Sequence, residues 1–195
     1  MSVQHLAVFS GKGGVGKSTV AVSLAQHTGH LLIDADPQCS AAGWGNMRES
    51  ETPEVKAIPL AQVLNELEHR EASIIDMPGS LSSGGIAVLK RVDLILLLTN
   101  DHQFELNALS QSLDIAQAVG KRVVVLLNRI HPFTDPSPVQ EAIAGLDVEV
   151  CPVVIRERSP HYKALREGKA AAEFEPEGAA AAEIASLWQW IEGLN

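Results

Sequence analysis

The 195-residue sequence predicts an α/β domain in three layers, a mostly parallel central sheet flanked by helices on both faces. Three observations predict it. Short, nearly continuous apolar runs recur along the chain, helix-length segments separate them, and each early run ends in a glycine or a polar residue. A strand buried on both sides needs no alternating polar face, which is how strands of a parallel sheet read. In such sheets ligands bind beyond the carboxyl ends of the strands.

The apolar runs are Leu6–Phe9, which leads into a glycine loop; Leu31–Ile33, ending at Asp34; Ser73–Ile75, ending at Asp76; Leu94–Leu98, ending at Thr99; Val123–Leu127, ending at Asn128; and Val148–Val154, broken by Pro152. Helical stretches are expected at about Lys17–His27, Leu60–Arg70, Phe104–Val119 and Val139–Gly145. The tail from Gly178 to Asn195 reads as a helix docked on the sheet, because Ala181, Ile184, Ala185, Trp188 and Ile191 recur at 3–4 spacing. Residues 44–70 carry no distinctive signal.

Composition excludes several classes. Hydrophobic residues make up 46% and charged residues 20%, the balance of a globular chain. Fifteen Lys and Arg against 24 Asp and Glu give a net charge of −9, which excludes a wholly basic nucleic-acid surface but not a local patch. No run approaches the ~18–20 apolar residues of a membrane span. Met1 stands just before the first strand, so no secretory leader is expected. Cys39 and Cys151 lack CxxC spacing and read as buried structural thiols, not as a disulfide framework or a zinc site. One domain over residues 1–195, in the cytoplasm, is the expectation.

The chemistry begins in the first loop. Gly11-Lys12-Gly13-Gly14-Val15-Gly16-Lys17-Ser18 satisfies G-x-x-x-x-G-K-[ST], with Thr19 next, between a strand and a helix. Glycines let the backbone wrap a phosphate, and the helix N-terminus adds positive potential. Lys17 would reach the β- and γ-phosphates of a nucleotide, and the Ser18 hydroxyl would ligate Mg²⁺. Ile74-Ile75-Asp76-Met77-Pro78-Gly79 places Asp76 at the magnesium pole, and Gly79, Gly84 and Gly85 are expected to form a mobile connection after it. Asp34 and Asp36 in Asp34-Ala35-Asp36-Pro37-Gln38 suit either a magnesium ion that keeps its waters or a simple turn and cap.

With Lys12 in the loop, Asp34–Gln38, and Ile155-Arg156-Glu157-Arg158 followed by Tyr162, Ala164 and Gly168, the chain resembles the deviant Walker A ATPases of the ParA/MinD superfamily, from Val3 to about Trp190. The resemblance implies ATP and ADP as nucleotides, Mg²⁺ as cofactor and a homodimer formed with ATP. In it Lys12 reaches across the dimer to the partner's phosphates, Asp36 positions the attacking water and Asp34 supports the magnesium shell. Asn128 would meet the adenine edge, and Pro152 and Val153 would line the adenine pocket.

The resemblance also implies nonspecific DNA binding on the nucleoid and a ParB-like or cargo-linked protein that stimulates hydrolysis. Arg156, Arg158, Lys163, Arg166 and Lys169, against Glu157 and Glu167, are the candidate DNA surface; read as residues alone, they equally form a solvated helix face. The expected function is a slow ATPase switch that positions a plasmid, chromosome or protein body, without an N-terminal helix-turn-helix extension. The alternatives are a metabolic ATPase of the cobyrinic acid diamide synthase or dethiobiotin synthetase type and a MinD-like spatial regulator. The acidic tail, without Lys or Arg, argues against a membrane partner.

Overall fold

The computed structural model describes residues 3–101 and 105–194, with residues 105–108 described by their backbone alone. Met1, Phe104 and Asn195, at the edges of predicted segments, lie outside the described residues. In chain order the elements are β1 (His5–Phe9), α1 (Lys17–Thr28), β2 (Leu31–Asp34), α2 (Ser40–Met47), β3 (Val55–Ala57), α3 (Leu60–Glu68), β4 (Ser73–Asp76) and α4 (Ser83–Leu89). There follow β5 (Leu94–Thr99), α5 (Glu105–Ala118), β6 (Arg122–Ile130), α6 (Ser137–Ala144), β7 (Glu149–Arg156), α7 (Ser159–Leu165), α8 (Ala171–Phe174) and α9 (Ala179–Glu192).

Among the described residues the strands form one sheet in the order β3-β2-β4-β1-β5-β6-β7, and every neighbouring pair is parallel. The strand pleat sends alternate side chains to two cores. Leu6, Val8, Ile74, Leu96 and Leu126 pack with Val20, Leu24, Trp44, Ile184 and Leu187 from α1, α2 and α9. Ala7, Phe9, Ile75, Leu97 and Val125 pack with Val63, Val88, Leu113 and Ile143 from α3 to α6. The predicted three-layer architecture is therefore present, with β1 at its centre and the glycine loop at the exit of β1. There β4 lies on one side and β5 on the other, which is where an open α/β sheet has a crevice.

Two strands differ from the sequence expectation. β6 continues through Asn128 to Ile130, and β7 continues through Pro152 to Arg156. Pro152 is tolerated because β7 is an edge strand and the proline sits in a register irregularity, between the pairs Val125–Val150 and Leu127–Val154. Four elements had no sequence signal: α2, β3, α4 and α8. Gly84 and Gly85, expected in a mobile connection, lie inside α4, whose N-terminus is capped by the Ser82 hydroxyl accepting from the Gly85 N–H; only Gly79 stays in the connection. Cys151 is buried as expected, and burial pushes its thiol up to about 12, but Cys39 is exposed at the N-cap of α2.

The wall formed by α2 is fastened across the molecule to the segment between α7 and α8. The Trp44 indole donates to the Lys169 carbonyl at 3.0 Å. The Arg48 guanidinium, stacked 4.4 Å from the Trp44 ring, donates to the Gly168 carbonyl and bidentately to Glu173. Gly168 has φ +66°, and a Cβ there would stand 2.4 Å from the Met47 carbonyl oxygen and 3.0 Å from the Arg48 nitrogen. Both contacts are backbone and cannot yield cheaply. Gly168→Ala should therefore destabilise the fold by roughly 2 kcal/mol or more. This corresponds to about a 4–8 °C drop in Tm by thermal unfolding.

Candidate functional site

The glycine loop is shaped by its neighbours as much as by its own sequence. Gly16, the N-cap of α1, has φ +89°, and no side chain caps the helix, so its first N–H groups are left for a ligand. A Cβ on Gly16 would lie 2.6 Å from the Asn128 amide nitrogen, so the position requires glycine on two counts. The Asn128 Nδ2 donates to the Val15 carbonyl at 2.7 Å, and Arg129 Nη1 donates to the Gly14 carbonyl at 2.7 Å. On the far side the Gly11 N–H donates to the Ser112 hydroxyl of α5 at 3.1 Å. Lys17 is buried at the start of α1, close to Gly79, while Lys12 is exposed and lies outside the residues lining the main cleft.

Two carboxylates sit side by side beneath the loop, because parallel pairing makes Asp34 and Asp76 register partners. Both are buried. One oxygen of Asp34 accepts from the Asp36 N–H at 3.1 Å and the other from the Ala42 N–H at 2.8 Å. Burial raises its pKa while these donors pull it back. Asp76 differs: neither of its oxygens has a hydrogen-bond partner. Burial above all, with Asp34 and Asp36 adding to it, pushes its pKa up to about 7, against the nearby Ser18 side chain and Lys17, which favour its charged form. Ser18 is a close polar neighbour of Asp76, although neither carboxylate oxygen is in full hydrogen-bond geometry.

A buried, unpartnered carboxylate costs several kcal/mol unless something satisfies it. A divalent cation beside Ser18 would do so, and the donor set fits Mg²⁺, which takes few protein oxygens and keeps its waters. Among the described residues no group of three His, Cys, Asp or Glu side chains is gathered into an all-protein cage.

Asp36 is half-buried, its Oδ1 accepting from the Gln38 N–H at 2.9 Å. With Lys17, Ser18, Trp44, Arg129, Tyr162 and Arg166 it lines an open cleft of about 1070 Å³. Beside the cleft is a smaller, mostly apolar cavity of about 70 Å³, reached past Gly16, Arg129 and Tyr162. Asn128 and Ile155–Arg158 line it; Pro152 and Val153 do not. The reason is the length of β7: its exit is at Arg156, so the predicted pair lies mid-strand, with Val153 packed on the α1 core. His161, which the sequence reading passed over, lines this cavity with both ring nitrogens buried and unpartnered. Burial lowers its pKa, leaving a neutral ring with one donor and one acceptor.

The expected basic surface is smaller than its sequence suggests. Arg158 is paired with Glu183 at 2.7 Å, and Arg156 Nη1 donates to the carbonyls of His131 and Thr134. Arg158 turns inward because α9 brings Glu183 against the end of β7, and Arg156 because the loop after β6 offers it two carbonyls. Lys163, Arg166 and Lys169 remain exposed, with Lys169 beside Glu167 at 3.1 Å. Arg129 and His161 are the site residues the sequence reading missed. The only signal for Arg129 was its place after a strand-end Asn.

The family profile of the CobQ/CobB/MinD/ParA nucleotide binding domain matches residues 6–171. The maintenance of carboxysome distribution protein A of Gloeobacter kilaueensis is 29% identical over 180 residues, covering 84% of this chain and 81% of that protein. Two solved structures share the fold. The ATP complex of McdA from Cyanothece has a TM-score of 0.74 at 20% identity, covering 100% of this chain and 98% of that one. The Mg-ADP complex of the septum site-determining protein MinD from Pyrococcus horikoshii has 0.75 at 19%, covering 100% and 97%.

Asp76 makes a pH prediction. In an unfolded chain the carboxyl ionises near pH 4. Between about pH 4 and 7 the folded protein holds a proton that the unfolded chain has lost, so stability falls as pH rises through that window. Asp76→Asn should remove this slope. In urea unfolding without nucleotide or metal, the variant should gain on wild type by on the order of a few kcal/mol at pH 8, with the gain shrinking toward pH 4.

Proposed function

The chain belongs to the CobQ/CobB/MinD/ParA nucleotide-binding domain family, and on that premise we propose that it is an ATP-driven dimerising switch that hydrolyses ATP slowly and positions a cargo. The observation that carries the reading is the phosphate loop with Lys17 and Ser18 beside an unpartnered, buried Asp76 at the sheet's crevice. Such a site suits a nucleotide's phosphates neutralised by a divalent cation.

In this reading the loop N–H groups and Lys17 bind the phosphates, and Ser18 and Asp76 hold the metal, with Asp34 acting on it through water. The bound Mg²⁺ supplies charge neutralisation on the phosphate oxygens. Asp36, half-buried on the cleft wall, orients a water. The water oxygen bonds to the γ-phosphorus as the bond to the bridging oxygen breaks, releasing ADP and phosphate. Lys12 reaches a second copy's phosphates, a role that its exposure outside its own cleft supports. The base edge enters the small cavity, where His161 offers one donor and one acceptor.

The relative's name supports a protein body such as a carboxysome as the cargo. Nonspecific DNA would bind through Lys163, Arg166 and Lys169, and a cargo-linked partner would stimulate turnover. No helix among the described residues is long and apolar enough to cross a membrane.

The test measures solution mass, phosphate release and retention on nonspecific duplex DNA, each with MgATP and MgADP. The expected result is a dimer and DNA retention with MgATP alone. Lys17→Ala should lose nucleotide binding, Asp36→Ala should accumulate the ATP dimer without turnover, and Lys12→Ala should lose the dimer. Charge reversal at Lys163 and Arg166 should release DNA at unchanged nucleotide affinity. A protein that stays monomeric with MgATP yet turns it over would instead be a metabolic ATPase.

A further inference from the structure

The end of β6 points to a second layer of phosphate recognition. Asn128 is 2% exposed, and one N–H of its side-chain amide donates to the Val15 carbonyl at 2.7 Å. Arg129 adopts φ +58°, a left-handed conformation that is uncommon outside glycine. The bend aims its side chain at the loop. There the guanidinium bonds the Gly14 carbonyl at 2.7 Å and is steadied by Glu157 at 2.9 Å. Two consecutive carbonyls of the loop are therefore fixed from the same strand end.

A trans peptide unit is planar, with its N–H directed opposite to its C=O. Fixing the Gly14 and Val15 carbonyls toward β6 turns the N–H groups of Val15 and Gly16 away from it. We propose that Asn128 and Arg129 are positioning residues that clamp these two carbonyls and so hold the loop's N–H groups in place for the phosphates, independently of the base. The inference rests on the nucleotide reading above and departs from the adenine role expected for Asn128. One of the two amide N–H groups of Asn128 is committed to the loop, so loop support is the role its observed hydrogen bond shows.

A clamp on the loop and a contact to the base have different consequences. Loss of the clamp weakens every ligand that carries the phosphates, including one with no base. Loss of a base contact weakens ATP alone and changes its preference over GTP.

The experiment measures Kd of wild type, Asn128→Ala and Arg129→Ala for MgATP, MgGTP and magnesium tripolyphosphate by calorimetry, with thermal unfolding to confirm the fold. The expected result is about a tenfold or greater loss for all three ligands, at an unchanged ATP-to-GTP ratio. Arg129→Lys, which keeps the charge but not the fork that reaches Gly14 and Glu157 together, should recover only part of the loss.

An Asn128→Ala protein that binds tripolyphosphate normally but loses its preference for ATP would overturn the proposal and return Asn128 to the base. Unchanged affinities in both variants would overturn the clamp while leaving the nucleotide reading intact. If wild type bound none of the three ligands, that reading would fall and the clamp with it. Arg129 is half-exposed, so its variants carry the test even where the buried Asn128→Ala fails to fold.

Discussion

The parallel register of β2, β4 and β1 is the constraint on which the rest of the molecule depends. It places Asp34 against Asp76, and Asp76 against Val8 just before the glycine loop, so two buried carboxylates lie side by side beneath the loop. A sheet covered on both faces can carry polar groups only at its strand ends. Here those ends hold a negative pair on one side and positive backbone dipoles on the other. The arrangement is poorly satisfied by protein alone, and a bound phosphate and cation would resolve both halves at once.

The fold was largely legible because its signals are local. Continuous apolar runs mark strands that the sheet buries twice, and Gly16-Lys17-Ser18 marks the loop irrespective of tertiary context. The Asp34 and Asp76 positions followed from where those runs stop. What escaped the sequence depends on neighbours. α2 contains Gly43 and Gly45 and has no helical stripe of its own; it is held by Trp44 and Arg48 reaching residues more than a hundred positions away. β7 runs through a proline because it is an edge with an irregular register, which no local pattern states. Pro152 and Val153, expected by resemblance to line a base pocket, lie mid-strand, and the small cavity beside the loop is lined by Ile155–Arg158 and His161 instead.

Charge was the least legible property. Residues 156–169 read as a basic stretch, yet Arg156 and Arg158 are absorbed by Glu183 and by carbonyls of the loop after β6. Counting cations along a chain does not say which of them face solvent. The reverse holds for Arg129, an ordinary strand-end residue in sequence. Its backbone is bent into an uncommon conformation to meet the loop, and two side chains from one strand end hold consecutive peptides there.

The fastening of α2 has a mechanical consequence. At its start the Ala42 N–H is held by the Asp34 carboxylate, and at its end Arg48 is locked to Glu173 and Gly168. A helix pinned at both ends resists swinging about either. The Asp36 segment at one end of α2 and the rim at its other end, where Met47 and Tyr162 stand exposed, are thus joined by one anchored helix. The outer lip of the cleft and its floor therefore share a single rigid support.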